Sequence, residues 1–123
     1  MDNPCGPTVA AIVPAHNAKT YIERCLQGLL GAGFSEREIV LVDDASTDQT
    51  ATVARMLGIE PLVLASNAGA AEARNIGACT SDADILFFVD ADVVVHSDAR
   101  AKVLAFFKDN PCPSSDNLRQ LAL

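Results

Sequence analysis

Two aspartates, Asp90 and Asp92, stand one residue apart after the apolar run Ile85 to Val89. Hard divalent cations such as Mg2+ and Mn2+ take oxygen ligands and often share them with substrate phosphates, so carboxylates this close can meet one ion. An ion held there would neutralise a diphosphate and the charge on a leaving group. A bare D-x-D also ends strands and opens turns, so its surroundings decide its meaning. Asp43 and Asp44 follow a second apolar run, Ile39 to Val42. A carboxylate there can accept a hydrogen bond from a base edge or a sugar hydroxyl, and Asp44 is the candidate contact. Ser46, Thr47 or Asp48 would cap the helix that follows. Arg74 is the one Lys or Arg between Arg55 and Arg100, and its guanidinium suits two-point contact with phosphate. Pro14, His16 and Asn17 follow another apolar run, as do Asn67 and Gly69. The His16 ring could stack on a base or merely occupy a turn, and Gly69 permits a tight turn or close backbone approach. His96 has no evident partner and reads as a surface residue.

The segments between these clusters must position them. Thr8 to Val13, Ile39 to Val42, Leu62 to Ala65 and Ile85 to Val89 are short apolar runs and read as buried strands. Ile22, Cys25, Leu26, Leu29 and Leu30 recur at helical spacing, with Gly31 and Gly33 as a stop. Val53, Ala54 and Leu57 form the inner face of a second helix ended by Gly58. Ala70 to Cys79 predicts a small-residue helix, and Ser97 would cap a last one with Val103, Phe106 and Phe107 inward. Strand–helix alternation with near-continuous apolar strands predicts an α/β fold, a mostly parallel Rossmann-like sheet with helices on both faces. Such sheets bind ligands at the carboxyl ends of their strands, and every cluster named above follows a strand. Residues 110–123, with Pro111 and Pro113, read as an irregular tail. Four parallel strands would leave an edge open, so the expectation is a partial domain cut short from something longer.

The chain has 123 residues, which suits one domain with one core. Its formal net charge of −7 speaks against nonspecific binding to nucleic acid or to an anionic membrane. No apolar stretch approaches the roughly 20 residues of a membrane span. Met1 to Pro7 lacks the basic and apolar regions of a secretory signal. Cys5, Cys25, Cys79 and Cys112 are scattered, with no C-x-x-C pair and no zinc spacing. They are expected to be reduced thiols in a cytoplasmic protein.

Four segments occur in a telling order: Val9-Ala10-Ala11-Ile12-Val13-Pro14-Ala15-His16-Asn17; Ile39-Val40-Leu41-Val42-Asp43-Asp44-Ala45-Ser46-Thr47-Asp48; Asn67-Ala68-Gly69 with Ala73-Arg74-Asn75; and Phe88-Val89-Asp90-Ala91-Asp92. Over residues 8–109 the chain resembles the donor-binding half of family 2 glycosyltransferases, which have the GT-A fold. The resemblance implies transfer of a sugar from a nucleotide-diphosphate donor, a UDP-sugar being favoured, to an acceptor hydroxyl with inversion. It implies that Pro14, His16 and Asn17 line the nucleoside pocket, with Asn67 and Gly69 beside it, and that Asp44 meets the base. Arg74 would contact the pyrophosphate, Asp90 would sit near the ribose and the metal, and Asp92 would ligate Mg2+ or Mn2+ directly. His16 stands where the family often has tyrosine. The family places its acceptor site and its general base in a second half, and no residue here matches that base, which inversion requires.

Two other readings follow from the same residues. A module that binds a nucleotide-sugar without catalysis, or an inactive truncated fragment, accommodates the missing base. A phosphoacceptor receiver domain loosely fits Asp43, Asp44 and Asp90, but a whole strand–helix unit precedes the acidic pair, and Lys102 and Lys108 fall in a predicted helix.

Overall fold

Seven consecutive buried residues, Val9–Ala15, form the central strand β1. Burial on both faces explains why the run is almost wholly apolar. The computed structural model describes residues 8–109 and 119–122. After β1 come helix α1 (Lys19–Gly31), a 3-10 turn (Glu36–Glu38), strand β2 (Ile39–Asp43), helix α2 (Thr50–Met56) and strand β3 (Leu62–Val63). Helix α3 (Ala70–Cys79), strand β4 (Ile85–Phe88), helix α4 (Ala99–Asp109) and strand β5 (Arg119–Ala122) complete the described residues. The strands lie in the order β3-β2-β1-β4-β5, and every pair is parallel.

The two faces of β1 are divided by its alternation. Val9, Ala11, Val13 and Ala15 join a core with Ile22, Cys25, Leu26 and Leu29 of α1, Ala54 of α2 and Val103 of α4. Ala10, Ile12 and Leu86 face the opposite way, toward Ala78 of α3. Helices therefore cover both faces, as the alternation predicts. The approach of α3 is close. A Cβ added at Gly77 would lie 2.7 Å from Cγ2 of Ile12 and 3.0 Å from Cγ2 of Val42, nearer than packed carbon atoms tolerate. That contact accounts for the small residues of this helix and fixes its height above the sheet.

Strand order also locates the crevice. From β1 the chain moves outward through β2 to β3, then returns across the sheet so that β4 lies on the other side of β1. The carboxyl ends of β1 and β4 flank the point where the direction reverses, which is where open α/β sheets bind ligands. Register brings the motifs level: Ala15 pairs with Asp43, and the Val89 N–H donates to the Ile12 carbonyl at 3.0 Å, carrying the ladder past Phe88 toward Asp90.

Several local expectations are corrected. Arg119–Ala122 forms β5, paired in parallel with β4 from Ile85↔Arg119 to Phe88↔Ala122. The irregular tail expected over residues 110–123 does not hold there, and the edge of β4 is covered. Residues 110–118, with Pro111, Cys112 and Pro113, and the N-terminal segment with Cys5 lie outside the described residues. Strand β3 is only two residues long, and both are exposed, so the apolar run overstates it. Helix α2 starts at Thr50 rather than directly after Ser46 or Thr47. Helix α4 starts at Ala99, with the Lys102 N–H bonded to the Asp98 carbonyl. Phe106 is 49% exposed instead of inward and meets Phe107 edge-on at 5.1 Å. No helix among the described residues is long and apolar enough to cross a membrane.

Candidate functional site

The loop after β2 is organised by a buried carboxylate. Asp44, 3% exposed, accepts the Ala68 N–H on Oδ1 at 2.7 Å and the Gly69 N–H on Oδ2 at 2.9 Å. Charge-assisted bonds of this kind are about twice as strong as neutral ones. They pin the segment that leads into α3, whose first flanking residue, Gly69, has φ +95°. That value lies in the region that favours glycine. Asp43, equally buried, accepts the Ser46 N–H at 3.0 Å.

The loop after β1 is tied to the same place. Nδ1 of His16 lies 2.7 Å from the Asp44 carbonyl oxygen. A carbonyl can only accept, so Nδ1 carries the hydrogen and Nε2 is the acceptor. The amide nitrogen of Asn67 lies 3.1 Å from Nδ1 and 3.3 Å from Nε2, and that of Asn17 lies 3.4 Å from Nε2. Asn17 adopts φ 51°, a conformation asparagine tolerates better than most residues. Its N–H donates to Ser46 Oγ at 2.8 Å, and its side-chain oxygen accepts the Thr47 N–H at 2.8 Å. Ala45 has φ 56°, which lacks that excuse and marks local strain beside the cluster.

Sequence reasoning missed how α1 is capped. Its N-cap position is Ala18, which has no side-chain acceptor. The acceptors come from the loop before α2. Buried Thr50 takes the Ala18 N–H on Oγ1 at 3.0 Å, and Asp48 takes the Lys19 N–H at 3.1 Å. Asp48 also accepts from the Thr50 N–H at 3.0 Å and from its hydroxyl. A helix starting on alanine was the available signal, since its first N–H groups need partners from somewhere.

The third cluster is built from β4 and α3. Nη2 of Arg74 donates to Oδ1 of Asp90 at 3.2 Å, with side chains 39% and 50% exposed. Asp92 is exposed at the same loop. Beneath them, the buried Cys25 thiol reaches the Asp90 carbonyl at 3.6 Å. Burial first, then the charges of Asp92 and Asp90, push this thiol up to about 12. Among the described residues no group of three or more His, Cys, Asp or Glu side chains could hold a metal; Asp90 and Asp92 supply two carboxylates in this loop.

The loops after β1 and β2 border one small pocket with α3. A cavity of about 70 Å³ is lined by Pro14, Ala15, His16, Asp44, Ala70 and Ala73. Arg74 follows Ala73 on α3 and reaches from this pocket's wall to Asp90. A wider apolar groove of about 570 Å³, between Val93–Val95 and α4, contains none of the predicted donor residues. Its polar lining residues, His96, Asp98 and Lys102, lie outside the four motif segments, whereas His16 and Asp44 of those segments line the small pocket.

The sequence model of Glycosyl transferase family 2 matches residues 10–115. The chain belongs to this family. A glycosyltransferase of Haemophilus influenzae is 34% identical over 105 residues, which is 84% of this chain and 35% of that protein. The crystal structure of S. aureus TarS 1-349 in complex with UDP-GlcNAc matches with a TM-score of 0.76 and 28% identity, over 83% of this chain and 31% of that one. Glucosyl-3-phosphoglycerate synthase from Mycobacterium tuberculosis, solved with Mn2+ and UDP-glucose, matches with a TM-score of 0.61 and 25% identity, over 75% and 36%. The fold is thus that of the GT-A glycosyltransferases. This chain spans less than half the length of the curated relatives it matches.

Proposed function

We propose that this family 2 chain forms the donor-binding part of a glycosyltransferase. It would bind a nucleotide-diphosphate sugar, a UDP-sugar in the first instance, for transfer to an acceptor hydroxyl with inversion. The observation that carries the reading is Arg74 and Asp90, joined at 3.2 Å beside the pocket bounded by His16 and Asp44. An anion-binding cation and a metal-binding acid thus adjoin a niche with base-reading groups.

Pro14, His16, Asn17 and Asn67 would line the nucleoside, and the backbone at Gly69 would approach it closely. Each Asp44 oxygen holds one N–H and keeps a further acceptor site, which suits the imino N–H of uracil. Arg74 would contact the diphosphate. The donor set fits a hard cation: two carboxylates, Asp92 as direct ligand and Asp90 beside it, with phosphate oxygens left to complete the shell. Mg2+ or Mn2+ bound there would supply charge neutralisation for the departing diphosphate. The buried thiol of Cys25 and the exposed thiol of Cys79 are both free, which accords with a reducing compartment such as the cytoplasm.

Calorimetric titration of UDP in the presence of Mn2+, repeated with EDTA, tests the reading. Heat that EDTA abolishes is expected. No heat from a chain shown to be folded would redirect the site to another nucleotide.

A further inference from the structure

Resting on the donor-site reading, we infer that Arg74 is a placeholder cation that couples metal binding to diphosphate binding. In the empty site it neutralises Asp90; a metal displaces it, and the diphosphate takes up the freed guanidinium.

The case begins with geometry. Arg74 Nη2 bonds Oδ1 of Asp90, a residue the same reading places beside the cation. Two cations drawn to one carboxylate repel each other and compete for its charge. A metal bound to Asp92 beside Asp90 would therefore weaken the Arg74–Asp90 bond and favour release of the guanidinium. The other described cations in ion pairs are committed elsewhere: Arg55 to Glu60, Arg100 to Glu38 and Lys102 to Asp98. Arg74 is the member of this set that stands at the acidic rim.

The backbone under Arg74 is fixed while its side chain is free to swing. The close contact of Gly77 with Ile12 and Val42 sets α3 on the sheet, and the bonds from Asp44 to Ala68 and Gly69 set its entry. The Arg74 side chain is 39% exposed. A diphosphate in the pocket offers the guanidinium a better partner than Asp90, because phosphate accepts two parallel N–H bonds. The metal's loss is then made good by the nucleotide, and the two ligands bind cooperatively. Linkage makes the coupling reciprocal.

The test is Mn2+ binding to the full chain, read by the electron paramagnetic resonance signal of free Mn2+, without and with UDP. Wild type, Arg74→Gln and Arg74→Lys are compared after thermal melts establish that each is folded. Arg74→Gln is expected to tighten Mn2+ binding to the empty site about two- to fivefold, the range of a partly exposed ion pair. It is also expected to weaken UDP binding at saturating Mn2+, so the two effects have opposite signs. Arg74→Lys keeps the charge and stays near wild type for Mn2+ alone. Unchanged or weaker Mn2+ binding by Arg74→Gln overturns the exchange. A folded wild type that binds no UDP with Mn2+ redirects the donor site to another nucleotide, while the Mn2+ arm alone still decides the exchange.

Discussion

Asp44 and Gly69 are 25 residues apart in the chain and are joined by a 2.9 Å hydrogen bond from the glycine N–H to the aspartate carboxylate. With the parallel bond from Ala68, one buried side chain fastens the loop after β3 to the loop after β2. The loop after β1 is fastened to the same residue through His16. Three of the four motif segments thus hang on Asp44 before any ligand arrives.

Replacing Asp44 with Asn should therefore cost more than a ligand contact. The amide keeps one acceptor oxygen, but its NH2 would face a backbone N–H, leaving two buried donors opposed. The expected loss is about 1–3 kcal/mol of unfolding free energy, measured by urea denaturation. The loop should also loosen, which limited proteolysis near Gly69 would report. A variant as stable as wild type would mean the carboxylate organises nothing.

A second prediction concerns acid stability. Burial raises the Glu38 carboxyl, but bonds from Arg100 and from the Ser35 N–H outweigh it, so Glu38 titrates below its ordinary 4.5. Arg100 binds it at two points, 2.9 and 2.7 Å. A depressed carboxylate contributes stability above its unfolded value and loses it as pH falls through the folded one. Glu38→Gln should cost about 1 kcal/mol at pH 7, since the pair is partly exposed. The gap to wild type should close as pH drops from 4.5 downward in denaturant melts. A constant gap across that range would contradict the ion pair.

A third prediction separates the two described cysteines. Cys25 is buried, with its thiol raised to about 12, while Cys79 is exposed. Only the thiolate reacts readily. Iodoacetamide at pH 8 should alkylate Cys79 and spare Cys25 in the folded chain, and peptide mass spectrometry would read both. The raised thiol also has a stability sign: its contribution is present below the ordinary thiol value of 9.0 and is lost as pH rises toward about 12. Rapid labelling of Cys25 would place it outside the core beneath Asp90.

Much of this was legible in the residues, for stated reasons. β1, β2 and β4 are buried strands whose continuous apolar runs admit little else. The helix inner faces Ile22, Cys25, Leu26, Leu29 and Ala54 were visible because burial repeats at helical spacing. β3 was overread because its apolar run, Leu62 and Val63, faces solvent. β5 was missed because Arg119-Gln120-Leu121-Ala122 carries no strand signal, and pairing with β4 is a backbone event. The caps of α1 were invisible because Thr50 and Asp48 reach it across about thirty residues of chain. The sequence offered Asp44 as an acceptor. Only the fold reveals that its first partners are backbone N–H groups.

The most direct test is Asp92→Asn, which removes the charge of the proposed metal ligand at an exposed position. UDP is titrated calorimetrically into the wild type and the variant with Mn2+ present. The account predicts that the wild type binds and that the variant, equally stable to heat, loses metal-dependent binding at least tenfold, about 1.4 kcal/mol. Undiminished metal-dependent binding by the variant would contradict the assignment of Asp92 to the metal.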